Sequence, residues 1–182
     1  MTNIFGGSDS LLYTRLRDDL GLVYSAWFYQ MFKGEAGFLI GHIGCKGDRT
    51  GESIIETLNI MNSLHKEVPE KEFKLKQLDT LNSFVFNVDT PVELVEAYSR
   101  YRLRDEPLNT LDRIQDVFIH AKREDLKTLA RQFLDPNKIQ IVVVADKTTR
   151  IKRKDQTEVT LEENLKALAA KWGLPFREVA LR

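Results

Sequence analysis

Two polar side chains, those of Arg17 and Tyr24, have the types and the spacing that could serve chemistry on a peptide. Arg17 falls in the last turn of a predicted helix, and Tyr24 falls near the start of the strand that follows. Because Gly21 lets the chain reverse direction between them, both side chains could converge on one edge of a sheet. Arginine offers a fork of donors and tyrosine a single hydroxyl donor, which suits a peptide carbonyl or an oxyanion forming on it.

The same pair also has an ordinary structural interpretation. Arg17 would then be a surface cation near the negative end of a helix dipole, and Tyr24 a half-buried strand aromatic. The physical argument alone favours this structural interpretation over the functional one.

The sequence lacks the motifs of a zinc site, a phosphate-binding loop and a nucleophilic serine or cysteine site. The histidines, His42, His65 and His120, form neither HExxH nor HxxEH, the spacings that place zinc ligands on one helix. His120 and Glu124 are four residues apart, but they flank a predicted helix break. The single cysteine, Cys45, lies three residues from His42 with no motif that would orient the two. Neither a GxxxxGK[ST] phosphate loop nor a GxSxG nucleophile elbow is present.

The composition is that of a globular domain and argues against a nucleic-acid partner. Of 182 residues, 42% are hydrophobic, and 27 Lys plus Arg balance 27 Asp plus Glu. A nucleic-acid-binding domain usually carries a basic excess, and here the formal net charge is zero. The longest strongly apolar run, 139–145, has the length of a strand, and the N-terminus has no signal-peptide pattern. The compartment stays open between the bacterial periplasm and the cytoplasm.

The elements that must position Arg17 and Tyr24 are a helix and a β-hairpin. Ser8, Asp9 and Ser10 follow a glycine loop and predict the helix N-cap, and Gly21 predicts the C-cap. Hydrophobic periodicity predicts helices over 10–20, 51–66, 69–86, 91–104, 109–118, 122–133 and 161–172, and strands over 22–32, 38–45, 138–146 and 176–181.

These elements are grouped rather than strictly alternating, which predicts an α+β fold with helices packed on one face of an antiparallel or mixed sheet. The continuous apolar run in 138–146 predicts a buried strand. The sheet is small for its helices, so we expect further strands upstream of this sequence.

The segment GGSDSLLYTRLRDDLGLVYS, residues 6–25, resembles the start of part of the non-catalytic half in insulinase/pitrilysin-type zinc peptidases, the group that includes mitochondrial processing peptidase. The resemblance continues through PEKEFKLKQLDTL and the closing helices to the valine-rich run, and covers about residues 3–146. The tail, 147–182, fits more loosely. On this resemblance, 1–182 is a single C-terminal peptidase-like domain from a longer chain.

The resemblance implies a half-domain of a clam-shell fold and a role at its active site. In that family one half carries HxxEH and zinc, and the other supplies an Arg/Tyr pair that reaches the substrate backbone. Arg17 would orient an unstructured peptide substrate, and Tyr24 would donate to the scissile carbonyl or its oxyanion. Gly21 and Leu22 would contribute to substrate binding. This chain would bind no zinc itself, and zinc is expected in an HxxEH-bearing partner half from the same parent chain or a separate subunit.

The sequence also departs from the family pattern. Ser10-Leu11-Leu12 replaces Ser-Arg-Leu, and the strand and helix that usually precede the Gly-Gly loop are absent, which suggests N-terminal truncation. A sheet that lacks strands exposes an edge, which favours pairing with a second copy or domain swapping. Two alternative functions stay open: a structural subunit without proteolytic activity, and a chaperone-like module that binds peptides at a sheet edge.

Overall fold

The computed structural model describes residues 2–7, 9–33, 36–86, 88–153 and 155–179. The chain divides into two compact units, one formed by 1–65 with 130–182 and the other by 66–129. The first unit contains the hairpin and the candidate site.

The N-terminal unit begins with a short helix that the sequence did not predict, and this helix includes the first glycine of the predicted glycine loop. Helix α1 spans Thr2–Gly6 and α2 spans Leu11–Tyr13, and a π-helical turn, Thr14–Asp19, continues α2. Ile4 and Phe5 of α1 are buried. A short apolar segment of this kind becomes helical through tertiary packing rather than through its own propensity.

The hairpin formed by β1, Val23–Lys33, and β2, Ala36–Cys45, confirms the predicted pair of strands. The strands are antiparallel, with Phe28 opposite Gly41. The Phe5 and Phe28 rings meet edge to face at 4.8 Å, which packs α1 onto the hairpin. A Cβ at Gly6 would lie 2.3 Å from Phe28 Cβ, so this close packing requires glycine. The tip of the predicted turn, Gly34 and Glu35, lies outside the described residues.

Helix α3, Thr50–Lys66, belongs to the same unit and follows a 3₁₀ turn at Gly47–Arg49. Leu58, Met61 and Leu64 form its buried face. A small antiparallel pair that the sequence did not predict joins β3, Arg150–Lys152, to β4, Glu158–Thr160. Helix α8, Leu161–Lys171, follows β4 directly.

The second unit contains helices α4, Glu70–Phe86, α5, Pro91–Leu103, and α6, Thr110–His120, and α7, Arg123–Phe133, leads back to the first unit. All four lie within two residues of their predicted bounds. Inside this unit the Gln77 side chain donates to the carbonyl of Phe118 at 2.7 Å, which fastens α4 to the end of α6.

Two predicted strands near the C-terminus were wrong. Residues 138–146 form no strand, and their valines are exposed rather than buried. Residues 176–179 also form no strand, and the rest of that prediction lies outside the described residues. A continuous apolar run predicts a buried strand only if neighbouring strands pair with it. Among the described residues no strand lies beside 138–146.

The observed architecture nonetheless confirms the α+β class, with many helices and a small antiparallel sheet. No helix in the described part of the chain combines the length and the apolar character needed to cross a bilayer.

The N-termini of α5 and α8 give a test of stability against pH. In both, a threonine hydroxyl and a glutamate three residues on form a capping box: Thr90 with Glu93, and Thr160 with Glu163. Hydrogen bonds from the Thr160 backbone and hydroxyl lower the pKa of Glu163 from its ordinary 4.5. A carboxylate whose pKa is lower in the folded state stabilises the fold above its unfolded pKa, and this stabilisation disappears as the pH falls through the folded pKa.

We therefore expect the free energy of unfolding to decrease below about pH 4.5, the ordinary pKa of Glu163, and Glu163→Gln to flatten that decrease. Urea titrations at several pH values between neutral and acid would measure it. Glu158→Gln, an exposed carboxylate outside the box, is the matched control. Equal pH slopes for Glu163→Gln and the parent protein would contradict the assignment.

Candidate functional site

Arg17 is held on the surface by the helix that carries it. Ser10 caps that helix, its hydroxyl oxygen accepting from Tyr13 N at 3.2 Å, as the sequence predicted. Leu12 and Leu16 are completely buried and fix one side of the helix against the core. Arg17 follows the second of these anchors directly, so its side chain points to solvent.

The turn that carries Arg17 is wider than an α-helix. Leu20 N donates to Arg15 O at 3.2 Å, the five-residue step of a π-helix. Single π-helical turns occur often at functional sites, because the extra residue redirects side chains on that turn. Apolar periodicity cannot distinguish a π-turn from α-helix, and the sequence predicted only a continuous helix.

Gly21 ends the helix in the conformation that the sequence predicted. Its φ is +59°, in the left-handed region, and its amide donates to Arg17 O at 3.1 Å. The next amide, that of Leu22, donates to Leu16 O at 2.8 Å. These two bonds satisfy terminal carbonyls of the helix and turn the chain into β1.

The two residues predicted to help bind substrate are placed differently. Gly21 is exposed, whereas the Leu22 side chain is buried in the core. Leu22 therefore anchors the start of β1, and only its backbone could approach a ligand.

Tyr24 lies at a β-bulge, the irregularity that determines its exposure. Val23 pairs with Cys45 and Ser25 pairs with Gly44, so Tyr24 is an extra residue between consecutive pairs. Strict alternation would place Tyr24 on the same face as Ala26, which is buried. With the bulge, 61% of Tyr24 is exposed instead. Bulges of this kind re-aim side chains next to active sites.

Arg17 and Tyr24 meet through the backbone. The Arg17 Nη1 group donates to the Tyr24 carbonyl oxygen at 2.5 Å. A bulge leaves backbone groups out of the ladder, and the guanidinium satisfies one of them. Since guanidinium has five N–H donors, most remain for a ligand, and the phenol of Tyr24 stays free of this contact.

Tyr13 is a member of the cluster that the sequence analysis missed. Its ring centroid lies 5.3 Å from Arg17 Cζ, within the range of a cation–π contact. Tyr13 and Arg17 are four residues apart on one helix, and this spacing was the signal that could have found it. Arg17 therefore lies between an aromatic ring and a carbonyl, which restricts its orientation.

An open cavity of about 520 Å³ lies next to this cluster, and Tyr13 forms part of its wall. Its other lining residues are the Gly6-Gly7 loop and the strand segment 25–29. Trp27 stacks on His42 from the facing strand at 5.2 Å between centroids and also contacts Tyr29. The face of the hairpin beside the cluster is therefore rich in partly exposed aromatic rings.

Arg15, the other arginine of the π-turn, forms ion pairs with residues other than Arg17 and Tyr24. Arg15 forms ion pairs with Asp19 at 3.3 Å and with Glu56 at 3.8 Å. Arg17 makes no ion pair among the described residues. The two arginines of this turn thus differ, since Arg15 is neutralised locally and Arg17 presents an uncompensated cation.

The histidines have structural partners. A His65 ring nitrogen lies 3.1 Å from Leu134 O, and one of His120 lies 2.9 Å from Asp116 O. Cys45 Sγ lies 3.7 Å from Thr50 Oγ1. Over the described ranges, no group of three or more His, Cys, Asp or Glu side chains could hold a metal ion. The donor set of this part of the chain does not fit zinc.

The left-handed turn at Gly21 can be tested by substitution. Nothing lies within 4 Å of a Cβ built there, so Gly21→Ala would meet no steric clash. The substitution should still destabilise the fold by about 1–2 kcal/mol, because φ near +59° is unfavourable for residues with a Cβ. Gly21→Asn should cost less, since asparagine tolerates this region. Chemical denaturation would measure both, and equal stability of the alanine and parent proteins would contradict the argument.

Comparisons with known proteins agree with this architecture. The family model described as the peptidase M16 inactive domain matches residues 1–78. Among curated proteins, no match to the chain was found.

Three solved bacterial structures share the fold. The peptidase M16 inactive domain from Pseudomonas fluorescens has 16% identity and a TM-score of 0.65, and the match covers 74% of this chain and 32% of that one. A protease from Helicobacter pylori has 21% identity and a TM-score of 0.63, with 74% and 33% covered. A candidate zinc protease from Bordetella pertussis Tohama I has 18% identity and a TM-score of 0.60, with 75% of each chain covered. The chain therefore spans about a third of the length of the first two.

Proposed function

We propose, from the match of residues 1–78 to the peptidase M16 inactive domain, that the chain is a C-terminal domain of the insulinase type and completes the active site of a zinc endopeptidase. It would bind an unstructured peptide and present it to a homologous half that carries HxxEH. That half, in the same parent chain or in a separate subunit, would hold the zinc, since the described residues of this chain do not fit it.

The observation that carries the proposal is the placement of Arg17 and Tyr24 at one turn. The helix cap, the left-handed glycine and the bulge together leave both side chains exposed, and the Arg17 guanidinium contacts the Tyr24 backbone carbonyl. A bulge that exposes a large aromatic side chain gives up a regular position in the β-ladder. A functional role of the phenol would account for this loss.

Arg17 would position the peptide. One of its donors is used by the Tyr24 carbonyl, and the Tyr13 ring lies beside the guanidinium. The remaining donors keep a defined direction and could hold a backbone carbonyl of an extended substrate. This contact would exist before and during the reaction.

Tyr24 would act on the charge that develops during cleavage. Its hydroxyl can donate to the scissile carbonyl oxygen and would bind that oxygen more strongly as it becomes an oxyanion. A donor fixed in advance lowers the barrier because it needs little reorganisation when the charge appears. The buried Val23 and Ala26 on either side anchor the backbone from which the Tyr24 side chain projects.

The proposal is tested by reconstitution with the HxxEH-bearing half and zinc, following cleavage of an unstructured peptide. Tyr24→Phe should lower kcat/KM at least tenfold, about 1.4 kcal/mol, mostly through kcat, because its hydrogen bond strengthens in the transition state. Arg17→Ala should lower kcat/KM by a similar factor and also raise KM, because it removes ground-state positioning.

The chain offers matched controls for both substitutions. Tyr29→Phe removes a partly exposed hydroxyl from the same strand, and Arg15→Ala removes an arginine from the same turn that is paired with Asp19. Both controls should keep near-parent kcat/KM. Cleavage that is insensitive to Arg17 and Tyr24 would reject their roles, and absence of any cleavage would favour a structural subunit of the same fold.

A further inference from the structure

The cavity beside Tyr13 is a feature to which the proposed function assigns no role. Its volume of about 520 Å³ lies within the roughly 300–1,000 Å³ that is usual for ligand pockets. A space of this size takes up part of an extended peptide and excludes a folded partner. The cavity therefore has the dimensions of a subsite for a side chain of a peptide.

The lining of the cavity indicates which class of side chain fits it. Among the described residues that line it none is charged, and half are aromatic: Tyr13, Trp27, Phe28 and Tyr29. An ionised side chain would lose water here without gaining a counter-charge, which is unfavourable. An aromatic or branched aliphatic side chain would leave water and pack against rings, which is favourable. The lining therefore favours a large apolar side chain.

The elements that form the walls hold one another within this chain. The Phe5 and Phe28 rings pack α1 on β1, and a Cβ at Gly6 would lie 2.6 Å from Phe28 N. The Ser10 hydroxyl caps the helix that carries Tyr13. Residues upstream of this sequence would join α1 at its first turn, whereas the cavity is bounded by the glycines at its end. The walls are therefore set by contacts inside the described part of the chain.

Tyr13 connects the cavity to the proposed substrate contact. It forms part of the cavity wall, and its ring centroid lies 5.3 Å from Arg17 Cζ. Successive residues of an extended peptide are about 3.4 Å apart. If Arg17 holds a substrate carbonyl, the side chain that reaches the cavity therefore belongs to a residue within about two positions of that carbonyl.

We propose that this cavity is a specificity subsite for one large apolar side chain, aromatic or branched aliphatic, of the peptide substrate. The inference rests on the proposed function, from which it takes the substrate and the contact at Arg17. Tyr13 is the residue that the two contacts share, since it lies beside the guanidinium that holds the backbone and beside the space that takes the side chain. Burial of that side chain supplies the preference over a small or a charged one.

Cleavage by the assembled enzyme tests the subsite, with the HxxEH-bearing half, zinc and the strands expected upstream all in place. In an unstructured, alanine-rich peptide, phenylalanine or glutamate is introduced singly at each of the two positions on either side of the scissile bond. At one of these positions, we expect phenylalanine to raise kcat/KM at least tenfold over alanine and glutamate to give no increase. Upstream strands that fill the cavity would abolish this preference.

Trp27→Ala assigns the preference to this cavity rather than to the other half. It removes part of the wall and should lower the ratio of kcat/KM for the phenylalanine and alanine peptides at least fivefold at that position. His42→Ala is the matched control, because His42 is the other member of the Trp27–His42 stack but lies outside the described lining. It should leave the ratio unchanged.

Substitutions of Tyr13 separate its contact with Arg17 from its place in the wall. Tyr13→Leu keeps an apolar side chain but removes the ring beside the guanidinium, so it should raise KM for every peptide and leave the phenylalanine-to-alanine ratio largely unchanged. Tyr13→Phe keeps the ring and should restore the parent KM.

A binding measurement makes the inference independent of catalysis. Fluorescence anisotropy of the same peptides, labelled at one end, would give their Kd for the full 182-residue chain. The phenylalanine peptide should bind at least tenfold more tightly than the alanine peptide to the parent chain and to His42→Ala. Trp27→Ala should bind the two peptides with similar Kd.

The outcomes separate this inference from the proposed function. If Arg17→Ala and Tyr24→Phe impair cleavage but no preference depends on Trp27, the proposed function stands and the subsite is overturned. Loss of the preference in His42→Ala to the same extent as in Trp27→Ala would also overturn it. If no peptide is cleaved, the proposed function fails, and equal Kd values for the phenylalanine and alanine peptides would then reject the subsite as well.

Discussion

The left-handed turn at Gly21 is the constraint on which the candidate site depends. The helical structure ends at Asp19 and β1 begins at Val23, and between them the amides of Gly21 and Leu22 donate to helix carbonyls. Buried leucines on both sides, Leu16 and Leu22, hold the two arms of the turn in the core. Arg17 and Tyr24 are close because these arms cannot separate without exposing apolar surface.

The site is made of residues that satisfy one another before any ligand arrives. The bulge leaves the Tyr24 carbonyl for Arg17, and the guanidinium also contacts the Tyr13 ring. A polar group whose orientation is already restricted in this way loses little freedom on binding, so more of the interaction energy would remain for a ligand. The cost is that the cation and the bulge are interdependent, and a change in one alters the other.

Local patterns predicted the parts of this structure that depend on local chemistry. The Ser10 cap, the Gly21 turn, the hairpin and the helices from Thr50 to Phe133 follow from side chains within a few positions of each other. The π-turn and the bulge at Tyr24 add one residue each to a regular element, and such insertions respond to packing on the other side of the chain. The run 139–145 was wrongly predicted as a buried strand, because burial of a strand depends on neighbouring strands that the run's own residues do not specify.

The bulge in β1 has a consequence for how chains of this fold diverge. Removing one residue between Val23 and Ser25 would restore a regular ladder with little effect on the core, since the buried side chains on either side keep their faces. The extra residue is therefore expected to persist only where a function of Tyr24 selects for it, so the number of residues between Val23 and Ser25 reports whether that selection operates. Homologues in which this tyrosine has a function should retain the extra residue of the bulge. Homologues in which the fold serves only as a scaffold are free to lose it.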